Sequence, residues 1–364
     1  MSLSLIVFIV LLVALILVHE LGHFTAAKLF GIRVDEFSIG FPPRLLTVQW
    51  GETRYSLNLL LVGGYVLIHG EYPGTDAHDK RSMASRSRWV QAAVIAAGVV
   101  CNLLFGWLML TAGYAVGMPA PAEYQGFGAV QDVRVTVVGV VPGSPAAQVG
   151  MTAGDTIQTL TTGTARLDAA GETAAGVQEF IAAHSNESFV FSITRDGKAQ
   201  NFVLRAEDGI VDGRKAVGIQ MNDVGLLQLP PHLALIEGAR AAKDMTISTA
   251  VGLGTFFGEL ARGKAQWDQV AGPVGIAGAG ASAVGKGFAS AAVITALISI
   301  NLALINLIPI PGLDGGRLLI IAVEGVIRRR ISPKIITGLS LAGFALLIAL
   351  MLLVTYHDVA KLVG

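Results

Sequence analysis

Cysteine is almost absent: Cys101 stands alone in 364 residues. No disulfide and no cysteine-based metal site can form within one chain. A domain outside the cytoplasm would therefore have to hold itself together by its own core. Charge is also scarce. Only 14% of the residues are charged and 53% are hydrophobic, a balance too apolar for an ordinary soluble domain. Basic and acidic residues number 26 each, so the formal net charge is zero, and neither nucleic acid nor an acidic partner is implied. Residues 1–18 carry no charge at all. No basic segment precedes that run, and it is longer than the apolar part of a signal peptide, so it reads as a retained span.

The apolar residues come in blocks near 3–27, 89–116, 288–310 and 335–356, each long enough for a span of about 20 residues. Of the 26 lysines and arginines, 8 fall in 28–88 and 5 in 317–334, while the long segment 118–286 holds 12, thinly spread. The positive-inside rule then puts the first two loops in the cytoplasm, and the long segment and both termini outside. The fold class expected is an α-helical polytopic membrane protein. It has about four transmembrane helices, a membrane-associated β-hairpin and one inserted α/β domain. Residues 1–28 form the first span, 29–88 a cytoplasmic loop, 89–117 the second span and 118–225 the external domain. A helical, interfacial linker follows at 226–287, the third span at 288–316, a cytoplasmic loop at 317–334, and the fourth span and tail at 335–364.

Within the first loop, "TRYSLNLLLVGGYVLIHG" (53–70) is rich in β-formers around Gly63-Gly64. It reads as a hairpin turning at that pair. Its tip is apolar on both faces, so it packs in protein or dips into the membrane. The stretch 71–88 reads as a polar connector. In the external segment, "SFVFSITRDGKAQNFVLRAE" reads as two strands joined at Asp196-Gly197, and "VQEFIAAHS" as an amphipathic helix. Helical pattern resumes from Pro230 to Lys264. Its uncharged part 245–258 reads as interfacial, with a re-entrant segment as the alternative. "AGPVGIAGAGASAVGKG" reads as a Gly-rich connector; it lacks the lysine-Ser/Thr ending of a phosphate loop.

The chemistry lies in "HELGH", at the end of the first apolar run. His19 and His23 are one helical turn apart on one face. At that spacing they can ligate one Zn²⁺, with Glu20 beside them as general base. Ionisable groups inside a span cost about 2.5–3.5 kcal/mol each near its centre. A metal with ordered partners would offset that cost. Zinc needs a third protein ligand, and the candidate is Asp314 in "NLIPIPGLDGGR". Pro309 and Pro311 stop the third span, and Gly312, Gly315 and Gly316 let the backbone turn around the aspartate. Lys28 marks the basic side of the first span, and His19 lies about 13 Å in from it. Asp314 precedes Arg317 at the same end of the third span. An aspartate there is also a common helix N-cap; beside HELGH the ligand reading is preferred. His69 is not needed as a ligand, and His78, His184, His232 and His357 read as ordinary polar residues.

HExxH in a first span with "NxxPxPxLDGG" in a late one resembles the site-2 protease family of intramembrane zinc metalloproteases. "VVPGSPAAQVGMTAGDTI" closely resembles the start of a PDZ domain. With the "GGYV" stretch, it points to the bacterial envelope-stress, sigma-E regulator branch. The resemblance covers nearly the whole chain. It implies one Zn²⁺ per chain on His19, His23 and Asp314, with Glu20 as the catalytic base. Asn306 and Asn301 match positions that hold the substrate backbone, and Gly63, Gly64, Tyr65, Val66 and Pro311 complete the candidate substrate-binding set. Asn102 reads as structural. The implied substrates are single-span membrane proteins, such as an anti-sigma factor already trimmed outside, and remnant signal peptides. The implied location is the bacterial inner membrane, with the PDZ domain periplasmic and the active site toward the cytoplasm. Two stretches depart from the family pattern. "LVGGY" lacks a proline before the glycines, and "GVVCN" lacks one after Gly98. Neither departure falls on a ligand. A catalytically inactive PDZ-bearing scaffold and a metal transporter are the rival readings. A transporter would show ligands across several spans or repeated halves, and the sequence has neither.

Overall fold

The computed structural model describes residues 3–71, 79–195, 197–211, 214–264 and 272–363. The chain forms two compact units, one from Met1–Gly113 with Leu235–Gly364 and the other Tyr114–Ala234. The first unit begins with helix α1 (Leu3–Leu29), strands β1 (Val34–Trp50) and β2 (Thr53–Ile68), and helix α2 (Arg88–Val116).

β1 and β2 correct the expected hairpin. The tight turn is at Gly51-Glu52, where Gly51 takes φ +59°, a conformation glycine adopts without strain. Gly63-Gly64 lies inside β2 instead. The two long strands fold back into four stretches. Residues 44–50 pair with 53–58 across the turn. The stretch 34–39 meets 64–68 in antiparallel register, from Val34↔Ile68 to Ile39↔Gly64. On its other side it meets 54–57, from Glu36↔Arg54 to Ile39↔Leu57, with both numbers rising together. The glycine pair is there for close approach. A Cβ on Gly63 would come within 2.6 Å of the Phe41 ring, and one on Gly64 within 2.8 Å of the Ser38 carbonyl oxygen. The polar connector reading of 71–88 falls partly on 72–78, and His78 with it, outside the described residues.

The second unit is built around an antiparallel sheet. Its elements are β3 (Met118–Pro121), β4 (Gln131–Val140), α3 (Pro145–Gln148), β5 (Thr156–Thr161) and β6 (Arg166–Asp168). Then come α4 (Ala174–Ala183), β7 (Ser188–Arg195), β8 (Lys198–Arg205), β9 (Glu207–Val211), β10 (Arg214–Ala216) and β11 (Ile219–Leu227). The main sheet runs β3-β11-β4-β5-β7-β8, with β6 on β5. Alternate residues of β7, Phe189, Phe191 and Ile193, point into a core with Val135, Val137, Leu160, Val177 and Ile181. That core substitutes for the missing disulfides. Asp155 is fully buried and is held by Arg195 at 2.6 Å and by the Thr152 N–H at 2.9 Å. Of the expected turn at 196–197, Asp196 lies outside the described residues.

The first unit resumes with α5 (Pro231–Ala261), α6 (Pro273–Gly285), α7 (Phe288–Leu307), α8 (Asp314–Ile327) and α9 (Pro333–Val363). Among the described residues four helices are long and apolar enough to cross a membrane: Leu3–Leu29, Arg88–Val116, Phe288–Leu307 and Pro333–Ala360. The helical pattern expected from Pro230 is one continuous helix, α5, with 245–258 as its later part. Two expectations change here. The Gly-rich connector is largely helix α6, with Pro273 in its first turn. Gly280 serves packing: a Cβ there would fall 2.1 Å from the Phe8 ring of α1. The loop expected at 317–334 is mostly α8. That helix lays Leu318 and Ile321 on a core of Ala27, Ile32, Val34, Ile68 and Ile95. An amphipathic helix of this kind is stabilised by the face it buries rather than by its propensities.

Candidate metal centre

Helix α1 carries His19 and His23 on one face, each only 7% exposed. α2 can pass over that face because position 98 is glycine. A Cβ there would stand 2.5 Å from His23 Nε2 and 2.7 Å from His19 Cε1. Gly22 makes the reciprocal approach, where a Cβ would meet the Ala97 carbonyl oxygen at 2.5 Å. The stretch "GVVCN" therefore presses directly on both histidines, although its departure from the family pattern falls on no ligand.

Asp314 arrives from the other end of the sequence. The span α7 stops at Leu307, and 308–313 fold back against the first turn of α8. A Cβ on Gly315 would lie 2.2 Å from the Leu307 carbonyl oxygen, and one on Gly316 2.3 Å from that of Ile310. Only residues without side chains allow that nesting. Asp314 is the first residue of α8; the cap position is Leu313, with no side-chain cap. Its carboxylate goes to the histidines instead, with Oδ2 3.1 Å from His19 Nε2 and 3.3 Å from His23 Nε2.

The two Nε2 atoms are 3.2 Å apart. Three ligand atoms separated by 3.1, 3.2 and 3.3 Å match one face of a tetrahedron, whose edges are about 3.3 Å for zinc bonds of about 2.0–2.1 Å. Protonation fits as well. His23 Nδ1 is 2.9 Å from the Val94 carbonyl oxygen and donates to it. His19 Nδ1 is 3.2 Å from Asn102 Nδ2; turning that amide over puts its oxygen there, the acceptor an Nδ1–H needs when Nε2 binds a metal. The His23 Nε2 lone pair then faces the Asp314 carboxylate, and with His19 protonated at Nδ1 its Nε2 does the same, an arrangement that calls for a cation. His19, His23 and Asp314 thus fit zinc in ligand type, number and spacing.

Asn306 Nδ2 lies 3.4 Å from His19 Nε2, at the rim of this cluster. Asn301, on the same helix, makes no hydrogen bond to the cluster among the described residues; five residues' separation turns it about 140° around the helix axis. Pro311 is held by α9: a Cβ on Gly343 would overlap the Pro311 carbonyl oxygen. Asn102, read from sequence as structural, sits against the cluster. It is fully buried, touches a ligand histidine, and accepts a hydrogen bond from Ser299 of α7 through its carbonyl at 2.7 Å. A polar amide inside an apolar helix, four residues after Gly98 and so on its face, was the available signal.

Glu20 turns toward the sheet. The Val66 N–H hydrogen-bonds its carboxylate, and a Cβ on Gly64 would lie 3.8 Å from its Cγ. Stretch 64–68 pairs with β1 on one side and has α1 on the other. Tyr65 turns its hydroxyl to Glu36 Oε1 at 3.1 Å. His69 stands apart from the metal cluster, between Asp35 at 3.1 Å and Asp79 at 3.3 Å.

An H-E-x-x-H helix joined by a distant aspartate, in a chain with four apolar helices, defines a membrane metalloprotease centre. The chain belongs to Peptidase family M50, the site-2 protease family, whose sequence model matches residues 7–350. It is 31% identical to a proposed zinc metalloprotease of Clostridium perfringens, over 95% of each chain. Against a proposed zinc metalloprotease of Nostoc it is 30% identical, over 97% of this chain and 95% of the other. A chloroplastic membrane metalloprotease of Arabidopsis thaliana is 29% identical, over 97% of this chain and 78% of the plant protein. The protein is a zinc metalloprotease of the membrane.

Proposed function

We propose that the chain hydrolyses peptide bonds of single-span membrane proteins within the membrane. The observation that carries this reading is the meeting of His19, His23 and Asp314 beside Glu20 and the 64–68 strand. Bound zinc supplies Lewis acidity, which acidifies water and polarises a carbonyl. Glu20 takes the proton of the attacking water and passes it to the leaving amine. A substrate helix hides its carbonyls in its own hydrogen bonds and must unwind first. Its freed backbone then needs partners at a depth where water is scarce. Gly63, Gly64, Tyr65 and Val66 offer a strand to pair with, as in other strand-addition sites. Asn306, able to donate and accept, fixes the extended segment beside the metal.

The substrates in this reading are pre-trimmed anti-sigma factors and remnant signal peptides, as in the sigma-E regulator branch. The protein sits in the bacterial inner membrane, with basic loops in the cytoplasm. The Tyr114–Ala234 unit is periplasmic and PDZ-like; it screens out substrates with bulky external parts. Purified protein and its Glu20→Gln variant, each given a single-span substrate, test the reaction. Native protein should cleave it. The variant should keep zinc and lose cleavage by several orders of magnitude. Cleavage by Glu20→Gln at the native rate would remove Glu20 as the base.

A further inference from the structure

Glu36 is a buried carboxylate outside the metal centre, only 3% exposed, and its partners are distributed in a telling way. Its own stretch is 34–39. Oε1 accepts from Ser56 Oγ at 2.6 Å and from the Tyr65 hydroxyl at 3.1 Å. Oε2 accepts from Arg44 at 2.8 Å, with Arg54 at 3.9 Å. Arg44 lies on 44–50, Arg54 and Ser56 on 53–58, and Tyr65 on 64–68. One carboxylate therefore ties all four stretches of the folded-back sheet together.

Asn58 Nδ2 also donates to Ser38 Oγ at 2.7 Å and to the Gly40 carbonyl at 3.0 Å, and Thr53 Oγ1 to the Val34 carbonyl at 2.8 Å. These bonds join 34–40 to 53–58, and Glu36 extends the link to 64–68 through Tyr65. Pairing shifts at several points along β1. Gly40, Gly63 and Gly64 give no side-chain contacts to lock it. Leu59, Leu60 and Leu61 lie exposed on the outer part of β2, so they do not select one face. Val34, Glu36 and Ser38 of β1 alternate inward, but these leucines and the glycine pair of β2 select no face, and a one-residue slip there turns every side chain to the other face. At 64–68 such a slip would move the Val66 N–H away from Glu20.

We infer that Glu36 is a positioning residue for proteolysis: through Tyr65, Ser56 and Arg44 it sets the 64–68 strand at the register in which it receives substrate beside Glu20. This rests on the strand-pairing reading above. Glu36 touches neither metal ligand nor Glu20, so its loss weakens substrate capture and leaves zinc in place.

The test is steady-state cleavage of a single-span substrate in detergent, with zinc content measured on the same samples. Glu36→Gln keeps an acceptor for Ser56 and Tyr65 but drops the ion pair; KM should rise about threefold. Glu36→Ala should raise it about tenfold, with kcat and zinc close to native. Tyr65→Phe should raise KM in the native background and add nothing in Glu36→Ala, because both remove the same tie. A fall in kcat at constant KM, loss of zinc in Glu36→Gln, or an undiminished Tyr65→Phe effect beside Glu36→Ala would overturn the inference. If Glu36→Ala does not fold, Glu36→Gln and Tyr65→Phe alone decide it: native KM in both contradicts it. Val66→Pro separates the two levels. If it cleaves normally, strand pairing fails and the inference with it; if it slows cleavage while the Glu36 variants do not, only the inference fails.

Discussion

His19, His23 and Asp314 turn three metal-ligating atoms on one another, whereas Glu36 surrounds its two oxygens with O–H and N–H groups. Both clusters are buried in the same unit of the molecule. The first satisfies its outer hydrogen bonds, to Val94 and Asn102, and leaves its inner atoms facing one another. The second is complete without any added ion. The difference separates a site built to hold a cation from one built to hold a backbone. A buried polar group must find partners, and the kind of partner left over identifies the role.

The comparison can be broken most severely at Gly98. Gly98→Ala puts a methyl group 2.5 Å from His23 Nε2, and neither helix can yield without moving a ligand. Zinc affinity should fall on the order of a hundredfold, and cleavage with it; zinc titration of the purified variant checks this. Next comes Asn102→Ala, which removes the partner of His19 Nδ1. Loss of such an outer hydrogen bond typically costs about 10–100-fold in metal affinity, so a tenfold or larger rise in the zinc dissociation constant is expected. The sheet should respond the other way. Val66→Pro should slow cleavage about tenfold, as expected for losing one or two backbone hydrogen bonds, with zinc content unchanged.

The smallest effect is on pH dependence. Burial pushes the Glu36 carboxyl up, but bonds from Ser56, Tyr65 and Arg44 outweigh it and hold the group below the ordinary carboxylate range. A lowered folded-state value means the tie contributes in full above that range and is lost as pH falls through and below it. Hydrogen exchange at 53–57 should accelerate over that acid window in native protein and show no such step in Glu36→Gln.

Sequence revealed the metal centre better than the sheet, for a physical reason. Zinc chemistry demands particular side chains at a helical spacing, so HELGH and LDGG are visible from composition and order alone. Asp314 carried two meanings, ligand and cap; the cap position falls to Leu313, and the Asp314 carboxylate turns to His19 and His23. Glycine also carries two meanings. Gly63-Gly64 looked like a turn and is a close approach to Phe41 and Ser38, while the turn fell to Gly51. The α6 stretch looked like a Gly-rich connector and is a helix whose Gly280 admits the Phe8 ring. Absence of a side chain is read from sequence; what fills the space comes from residues far along the chain. Asn102 read as structural and Gly98 as part of a departing stretch; that both press on the histidines depends on which helix crosses α1.

Asp314 joins the two ends of the chain, and zinc stoichiometry tests that junction most directly. Native protein should hold one zinc per chain, with His19, His23 and Asp314 as its protein ligands. Asp314→Asn, purified in the same way, should hold little or none at equal free zinc. A full equivalent of zinc in Asp314→Asn, bound with native affinity, would contradict Asp314 as the third ligand.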